Sequence, residues 1–437
     1  MSEGAKKDEL DLKQIIAMGV GGMVGGGIFS VLGLAIAQAG HAAPIAFALG
    51  GVIALLTGWS YVCLGLSFRS DGGSFTYLEH AFSQPTIAGI GGWLLLAGYI
   101  GTMALYAFTF GIYGSAMLGS TANPAMQHLL QSFVLLLFLG INLYGVRETG
   151  NAELLIVTAK VLILILFAAI GLIYIKADYL LPVFNQGIGG VLMGAALIFV
   201  AYEGFELIPN AVDEMQDPGH DLARGIMYAI AITIFIYVTV SLVAVGNLLP
   251  EAVLRYKEYA LAEAARPFLG QAGFLLIGLA ALFSTSSAIN ATLFGTARLG
   301  SEMARSKALP RVFGFRRKQD GIPWASLIIV TLVTLLFVNT SDLTMISAFA
   351  SASFLLIFAA INLSAWRLRE TIAIGKAVPA AGFLLSLLSL LALLVYLRQD
   401  KPAVLKELLG IYVVVAMAEL LFSQRRLIFT EGRHRKP

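Results

Sequence analysis

The sequence predicts an all-α integral membrane protein with twelve transmembrane helices, and three observations support this prediction. Of the 437 residues, 58% are apolar and only 13% are charged, whereas soluble domains carry roughly 25% charged residues. The apolar runs are about 20 residues long, which suits helices that cross a hydrocarbon core of about 30 Å. Strands of a membrane barrel would instead show alternating segments of about 10 residues.

The connections between the apolar runs indicate the orientation of the chain. With the amino terminus inside, most of the 29 Lys and Arg residues fall on the cytoplasmic side, and so does the carboxyl terminus. We therefore expect a multi-pass protein of the inner (plasma) membrane, surrounded by lipid. The predicted spans cover residues 14–37, 43–66, 86–119, 125–145, 152–175, 188–211, 222–248, 271–300, 323–340, 343–366, 377–397 and 403–424.

The order of the spans predicts a ten-helix core at 14–366. Residues 14–175 and 188–366 form two successive groups of five spans within it. The other segments are a cytoplasmic amino-terminal segment at 1–13, two additional helices at 377–424 and a basic cytoplasmic tail at 425–437.

The connection at 249–270 differs from the other loops. It is too polar to span, but its Ala, Leu and Phe residues recur at helical spacing. We expect an amphipathic helix over the outer face, which could act as a lid. A surface loop with some helicity is the alternative.

Metal and cofactor chemistry is not indicated. Cys63 is the single cysteine, and the five histidines are too scattered in sequence for a ligand motif. A net charge of +3 says little about partners, because the distribution of Lys and Arg in a membrane protein mainly reflects which loops lie in the cytoplasm. We expect no cofactor and no nucleic-acid partner, and the oligomeric state is not indicated.

Two of the predicted spans are interrupted. Span one contains "GVGGMVGGGIFS" and breaks at 21–27, and span six contains "VAYEGFELIPN", in which Glu203, Gly204 and Glu206 interrupt apolar sequence. These spans hold the same position in the two groups of five. Paired interruptions of this kind predict an inverted-repeat transporter with its substrate site near the midplane. Close helix packing through small residues is the alternative.

The unwound backbone at the two breaks offers complementary partial charges. The amides of Gly25, Gly26 and Gly27 would begin the second half-helix, whose positive end suits a carboxylate. Carbonyl groups left free at 21–22 and 200–203 would suit an ammonium group. An anion half-site beside a cation half-site describes an α-amino acid.

A lysine stands alone inside span five. Lys160 has apolar residues on every side in "LLIVTAKVLIL", and charged residues at such depth usually face the bundle interior and mark ion or proton pathways. We expect protonated Lys160 to donate to carbonyls of the broken first helix and to hydroxyls of span eight, in place of a coupling Na⁺. A static tether whose charge never changes is the alternative.

Span eight supplies the candidate hydroxyls in "ALFSTSSAINAT", which includes Ser284 and Ser287. Hydroxyls of membrane helices more often bond their own i−4 carbonyl. Glu203 and Glu206 are further candidates, either as proton carriers or gate residues or as a structural pair bonded to freed backbone amides.

The sequence resembles the amino acid-polyamine-organocation transporters, which share the five-plus-five inverted repeat of the LeuT fold. The resemblance covers nearly the whole chain and rests on motifs in a fixed order: "GGGIFSVLG", "DGGSFTYLEHAF", "AYEGFELIPNAVDEMQDPGHDLARGI", "GTARLGSEMARSKALPRVFG" and "GIPWASLIIV". It looks most like the sodium-independent, proton-coupled members with a lysine in the fifth helix.

The resemblance implies roles for individual residues. The implied proton-coupling residues are Lys160, Gly21 and Ser284. From the residues themselves we add Ser287 to this set and Glu206 as a possible gate or second proton site. The implied substrate-binding residues are Met23, Gly25, Gly26, Gly27, Val200, Ala201, Tyr202 and Glu203, of which Tyr202 falls near the gate. Tyr99, Tyr106, Phe205 and Phe354 are candidates for the side-chain pocket.

Two positions depart from the family pattern. Ala223-Arg224 stands where a proline-arginine pair usually ends the loop after span six. Gly26 stands where Ser or Ala is common, which removes a side chain from the carboxylate site and leaves the substrate preference open.

Together the motifs predict a proton-coupled, sodium-independent amino acid symporter that imports by alternating access. An amino acid or polyamine exchanger is the alternative. A sensor or channel would need a signalling domain or a continuous polar pore. An enzyme would need a nucleophile and base, or metal ligands, at a spacing that the sequence does not show.

Overall fold

The computed structural model describes residues 10–70, 72–120, 123–145, 150–319 and 321–422. Within these ranges the chain forms fifteen α-helices and no β-strand. The helices are α1 Leu12–Met23, α2 Gly27–Ala39, α3 Ala43–Ser67, α4 Gly73–Ala81, α5 Pro85–Met117, α6 Pro124–Tyr144, α7 Gly150–Ile173, α8 Gly187–Leu197, α9 Pro218–Asn247, α10 Pro250–Arg255, α11 Ala260–Arg305, α12 Trp324–Thr340, α13 Leu343–Arg367, α14 Ala377–Asp400 and α15 Pro402–Phe422.

Polar residues and prolines begin several of these helices. Asp11 starts α1 with a capping box, in which its carboxylate accepts from the Gln14 amide at 2.8 Å and the Gln14 side chain accepts from the Asp11 amide at 3.0 Å. Asp342 starts α13 in a similar way, by accepting from the Met345 amide at 2.7 Å. Such caps satisfy N–H groups that have no partner inside the helix.

The first predicted span is interrupted, over a shorter stretch than the sequence indicated. Helix α1 continues through Gly21 and Gly22 to Met23, and α2 begins at Gly27. The Val24 amide still donates to the Val20 carbonyl at 2.8 Å. The prediction of a break over 21–27 was therefore too wide, because these glycines keep helical hydrogen bonds on one side.

The second interruption lies where the sequence placed it. Helix α8 ends at Leu197 and is followed by the 3₁₀ segments Phe199–Tyr202 and Phe205–Glu214, with a turn at Glu203 and Gly204 between them. The chain bends by 51° between α8 and the segment that follows it. Gly204 has φ +126°, a conformation that glycine adopts at little cost.

The two groups of five helices pack in corresponding pairs. Helix α1 contacts α7 and α9, and the interrupted helix of the second group contacts their counterparts, α13 and α3. Helix α5 packs on α6 and α13, just as α11 packs on α12 and α7. This exchange of partners is what a five-plus-five repeat requires. Helix α14 lies against α13 and α3, and α15 lies against α5.

The predicted count of twelve spans is not confirmed by helix length and composition alone. Among the described residues, eight helices are long and apolar enough to cross a membrane, or up to nine if the bent pair around Ile198 counts as one span. Helix α12 has only 17 residues. In α15, Lys406, Glu407 and Glu419 interrupt the apolar sequence. The count of twelve stays a prediction.

The predicted amphipathic segment at 249–270 is largely helical. It consists of α10, a 3₁₀ turn at Lys257–Tyr259 and the first part of α11, which bends at Gly270, where φ is +60°. The 3₁₀ turn packs on α2 and α5. A Cβ atom at Gly33 would overlap the Lys257 carbonyl oxygen, so glycine at this position allows the segment to lie directly on α2.

Candidate functional site

The candidate site begins at the carboxyl end of α1, where four consecutive carbonyl groups lose their helical partners. Each of them accepts a hydrogen bond from a different helix. The donors are Lys160 Nζ of α7 to Gly21 at 2.9 Å, Tyr106 Oη of α5 to Gly22 at 3.3 Å, Tyr237 Oη of α9 to Met23 at 2.6 Å and Ser284 Oγ of α11 to Val24. The end of α1 is thus held by both repeats.

Lys160 brings an amino group to this cluster of carbonyls. Its side chain is only 2% exposed, and a charge at such depth costs roughly 2.5–3.5 kcal/mol on insertion scales. The bond to the Gly21 carbonyl and the negative end of the α1 dipole offset part of this cost.

The hydroxyls of span eight donate either to another helix or to a carbonyl of their own helix. Ser284 donates to the Val24 carbonyl across the helix interface, whereas Thr285 donates to its own i−4 carbonyl at Ala281 at 2.8 Å. Ser287 is buried on the same helix. The structure thus joins Ser284 to the break that also binds Lys160.

The amides at the start of α2 are available to an anion. Gly25, Gly26 and Gly27 are buried, and within the described residues their N–H groups make no hydrogen bond. Buried N–H groups are nearly always paired, so this stretch has unused capacity for a negatively charged group at a helix amino terminus.

The second break is held by serines of α13. Ser347 and Ser351 both donate to the Leu197 carbonyl at 2.8 Å, and Ser351 accepts from the Val200 amide at 3.0 Å. The two serines are four residues apart and therefore lie on one helix face. They stabilise the point at which α8 unwinds.

The two breaks meet backbone to backbone. A Cβ atom on Gly204 would lie 2.6 Å from the Gly22 carbonyl carbon, and one on Gly27 would lie 2.7 Å from the Ala201 Cα. Proximity therefore requires glycine at both positions, and the φ of +126° favours glycine at Gly204 as well.

Tyr237 joins the breaks a second time. Its hydroxyl lies 2.6 Å from the Met23 carbonyl oxygen and 2.9 Å from the Ala201 carbonyl oxygen. Tyr202 faces away from this junction and donates to the Phe47 carbonyl at 2.6 Å.

Four of the carbonyls that the sequence assigned to a substrate ammonium are not left free. Gly21 and Gly22 accept from side chains, Val200 accepts from the Glu203 amide at 3.2 Å, and Ala201 shares the single proton of the Tyr237 hydroxyl with Met23. For these four the expectation was wrong, because other helices and the neighbouring backbone supply donors that sequence spacing does not reveal. Among the described residues no hydrogen bond reaches the Tyr202 or Glu203 carbonyl, so the expectation for that pair stays a prediction.

Two buried glutamates lie at the second break. Glu206 accepts from the Gly204 amide at 2.7 Å through one carboxyl oxygen. Its other oxygen makes no hydrogen bond among the described residues. The Glu203 carboxyl group points toward the first break, with Tyr106 Oη 3.4 Å from its Oε2. Helix α5 presents Tyr99 and Thr102 to the same pair.

Three of the candidate pocket aromatics belong to one cluster. Tyr99 and Phe354 pack edge to face with centroids 5.6 Å apart. Phe354 also packs on Phe358 at 6.0 Å, and Phe358 packs on Phe205 at 5.2 Å. Phe205 contacts Tyr61 as well, at 5.7 Å, so the cluster reaches from α5 to α3 and α13.

A helical membrane protein with two interrupted helices at its centre, one bound to a buried lysine, has the architecture of a secondary transporter. The amino acid permease profile matches residues 10–419. The chain belongs to the amino acid permease family, and the resemblance to the amino acid-polyamine-organocation superfamily is confirmed.

Individual relatives agree with this assignment. The chain is 32% identical to an uncharacterised protein of Methanocaldococcus jannaschii, with 96% of both chains covered. It is 30% identical to the methylthioribose transporter of Bacillus subtilis over 68% of this chain and 67% of that protein. It is 27% identical to the branched-chain amino acid permease BcaP of the same organism, with 70% and 69% covered.

Proposed function

We propose that this permease is a proton-coupled, sodium-independent amino acid symporter that imports its substrate by alternating access. The observation that carries the proposal is the 2.9 Å hydrogen bond from Lys160 Nζ to the Gly21 carbonyl at the end of α1. It would give the first broken helix a protein cation whenever Lys160 is protonated, where a coupled sodium ion would otherwise supply the charge.

The protonation state of Lys160 would determine how firmly α1 is held. Charged, the ammonium group makes a charge-assisted bond to Gly21, roughly twice as strong as a neutral one. Neutral, it loses that strength while the other donors to the end of α1 remain. Binding and release of one proton would thus bias the position of α1.

The same break would bind the substrate. The N–H groups of Gly25, Gly26 and Gly27 suit the carboxylate of an amino acid, and they lie on the chain immediately after the carbonyls that bind Lys160 and Tyr106. Substrate and proton would therefore act on one short stretch of backbone. The gating role of Glu206 and Tyr202 belongs to this proposal.

The energy of one proton is sufficient for import. A charge that moves inward through 100 mV releases about 2.3 kcal/mol, which corresponds to roughly fiftyfold accumulation of a zwitterion. We place the protein in the inner (plasma) membrane with both termini in the cytoplasm, on the distribution of its basic residues.

The test is uptake by purified protein in liposomes. Wild-type protein should accumulate amino acids with an inward proton gradient and without Na⁺, and a competition panel of the twenty amino acids will define the preferred ones. Lys160→Ala should lose the stimulation by the gradient. Lys176→Ala, which removes an exposed lysine bonded to Tyr179, is the matched control.

Two outcomes would contradict the proposal. Full pH dependence of uptake by Lys160→Ala would remove the lysine from the coupling step. Uptake that occurs only when the liposomes already contain amino acid would identify an exchanger, the alternative that the sequence left open.

A further inference from the structure

The connection between α11 and α12 lies at the end of the bundle that we place in the cytoplasm. Residues 298–322 hold seven Lys and Arg residues and two acidic ones, and one of the acidic residues, Glu302, pairs with Arg305 at 3.4 Å. Six of the seven basic side chains are exposed: Arg298, Arg305, Lys307, Arg311, Arg316 and Lys318. This connection therefore presents a concentrated positive charge to its surroundings.

Contacts with four helices hold the connection in place. Trp93 of α5 donates from Nε1 to the Ala308 carbonyl at 3.1 Å. Arg317 donates to the Leu143 carbonyl near the end of α6 at 2.6 Å. The 3₁₀ turn Arg311–Gly314 packs on α11 and α12. The exposed charges therefore lie on a fixed surface.

Exposed aromatic side chains surround the contact between Arg317 and α6. Tyr144, the last residue of α6, is 85% exposed, Phe315 is 53% exposed and Trp324 is 42% exposed. The Ile322 carbonyl accepts from the amides of both Arg317 and Trp324, at 2.9 Å each, which brings Trp324 to the same place. Tyr and Trp are typical of the membrane–water interface, where their rings meet acyl chains and their polar ends meet headgroups.

Helix α6 shows where the acyl chains lie relative to this surface. It is long and apolar enough to cross a membrane, and Phe133, Leu137 and Tyr144 share one of its faces because they are four and seven residues apart. All three side chains are exposed. Lipid tails are as apolar as such side chains and pack against them. The acyl chains along this face therefore end beside Tyr144, at the positive charges.

We propose that Arg311, Arg316 and Lys318, with the aromatic side chains around Arg317, form a binding site for an anionic phospholipid of the cytoplasmic leaflet. The phosphate group of the lipid lies on the basic side chains, and its acyl chains run along the exposed face of α6. Clusters of Lys and Arg at the cytoplasmic end of a spanning helix attract anionic headgroups, with about fivefold in affinity for each charge. Membrane topology alone accounts for the charges but not for the exposed aromatic side chains, which a lipid covers.

Trp324 provides a reporter at the proposed site. The protein is reconstituted in phosphatidylcholine liposomes that contain, in both leaflets, a small fraction of phosphatidylglycerol with brominated acyl chains, which quench nearby tryptophan fluorescence. The difference between wild-type protein and Trp324→Phe gives the signal of Trp324. We expect phosphatidylglycerol to be enriched beside Trp324 by at least about fivefold relative to brominated phosphatidylcholine at the same fraction. Equal quenching by the two lipids overturns the inference.

Arg311→Gln combined with Lys318→Gln tests the charges. This double variant should lose the preference for phosphatidylglycerol, because each cation contributes about fivefold. The matched control is Arg69→Gln combined with Lys376→Gln, which removes one exposed Arg and one exposed Lys from other connections at the same end of the bundle. The control should keep the full preference. An unchanged preference in the first double variant, or an equal loss in the control, contradicts the proposed site.

Competition distinguishes the lipid from soluble partners. Inorganic phosphate and soluble polyglutamate are added separately, at the same concentration of negative charge as the brominated lipid. Neither should displace the lipid, since neither can use the acyl-chain contacts along α6. Displacement by phosphate or by polyglutamate would identify a free anion or an acidic peptide as the ligand, and the inference would fail.

The inference goes beyond the proposed function and is tested separately from it, because quenching is measured without transport. If the protein carries amino acids but shows no preference for phosphatidylglycerol, only the inference fails. If it shows the preference but takes up no amino acid, only the proposed function fails.

Discussion

Replacement of Gly204 by alanine tests the contact between the two interrupted helices. An added Cβ atom would lie 2.6 Å from the Gly22 carbonyl carbon and 2.7 Å from the Met23 nitrogen. Carbon atoms in contact prefer about 3.5–4.0 Å, so the end of α1 must move by on the order of 1 Å. All of the neighbouring atoms are backbone, and no side chain can rotate away to make room.

The expected loss of stability has two parts. The φ of +126° is strained for alanine by about 1–3 kcal/mol, and overpacking of the contact adds about 1–3 kcal/mol. Gly204→Ala should therefore destabilise the protein by about 2–6 kcal/mol, a large part of the stability of a typical domain.

The assay heats detergent-solubilised protein and measures, at each temperature, the fraction that stays monodisperse. The control is Gly295→Ala on α11, where an added Cβ meets nothing within 4 Å; this change should raise stability by about 0.5–1 kcal/mol, as alanine favours a helix interior. Equal melting of Gly204→Ala and wild-type protein would refute the close approach of the two breaks.

Two further substitutions separate stability from binding. Tyr237→Phe removes the hydroxyl that lies between the Met23 and Ala201 carbonyls and should lower the free energy of unfolding by about 1–3 kcal/mol. The control is Tyr412→Phe, which loses a hydroxyl that bonds the Ser353 side chain. Equal losses in both variants would contradict a special role for Tyr237. Gly26→Ala meets the edge of the Tyr106 ring, a side chain that can turn aside, so thermal stability should change little while amino acid affinity falls by about tenfold or more. Unchanged affinity would place the carboxylate elsewhere.

The main features of the site could be predicted because each violates the ordinary composition of a membrane helix. Clustered glycines in span one, charges beside Gly204 and a lone Lys160 are all costly in lipid unless the interior uses them. Their energetic penalty makes them visible in the sequence, and the fold places them together.

The partners of the freed carbonyls could not be predicted. Tyr237 stands in an apolar run whose sequence is the same whether its hydroxyl meets backbone, lipid or another side chain. It contacts Met23, 214 positions away in the chain, and Ser351 contacts Leu197, 154 positions away. Such pairings depend on how whole helices pack, which local patterns do not specify.

The extent of the first break could not be predicted for a related reason. Glycine permits unwinding but does not require it. Gly21 and Gly22 stay helical, and Lys160 and Tyr106 take the place of the helical partners that their carbonyls lose.

Four separate donors share the free energy that holds the end of α1 in place. Each hydrogen bond from a hydroxyl contributes about 0.5–1.5 kcal/mol net, and the bond from a charged Lys160 would contribute about 1.5–3 kcal/mol; each comes from a different helix. The hydrogen bonds at the tip of α1 can therefore break one at a time, and no single step has to break all four.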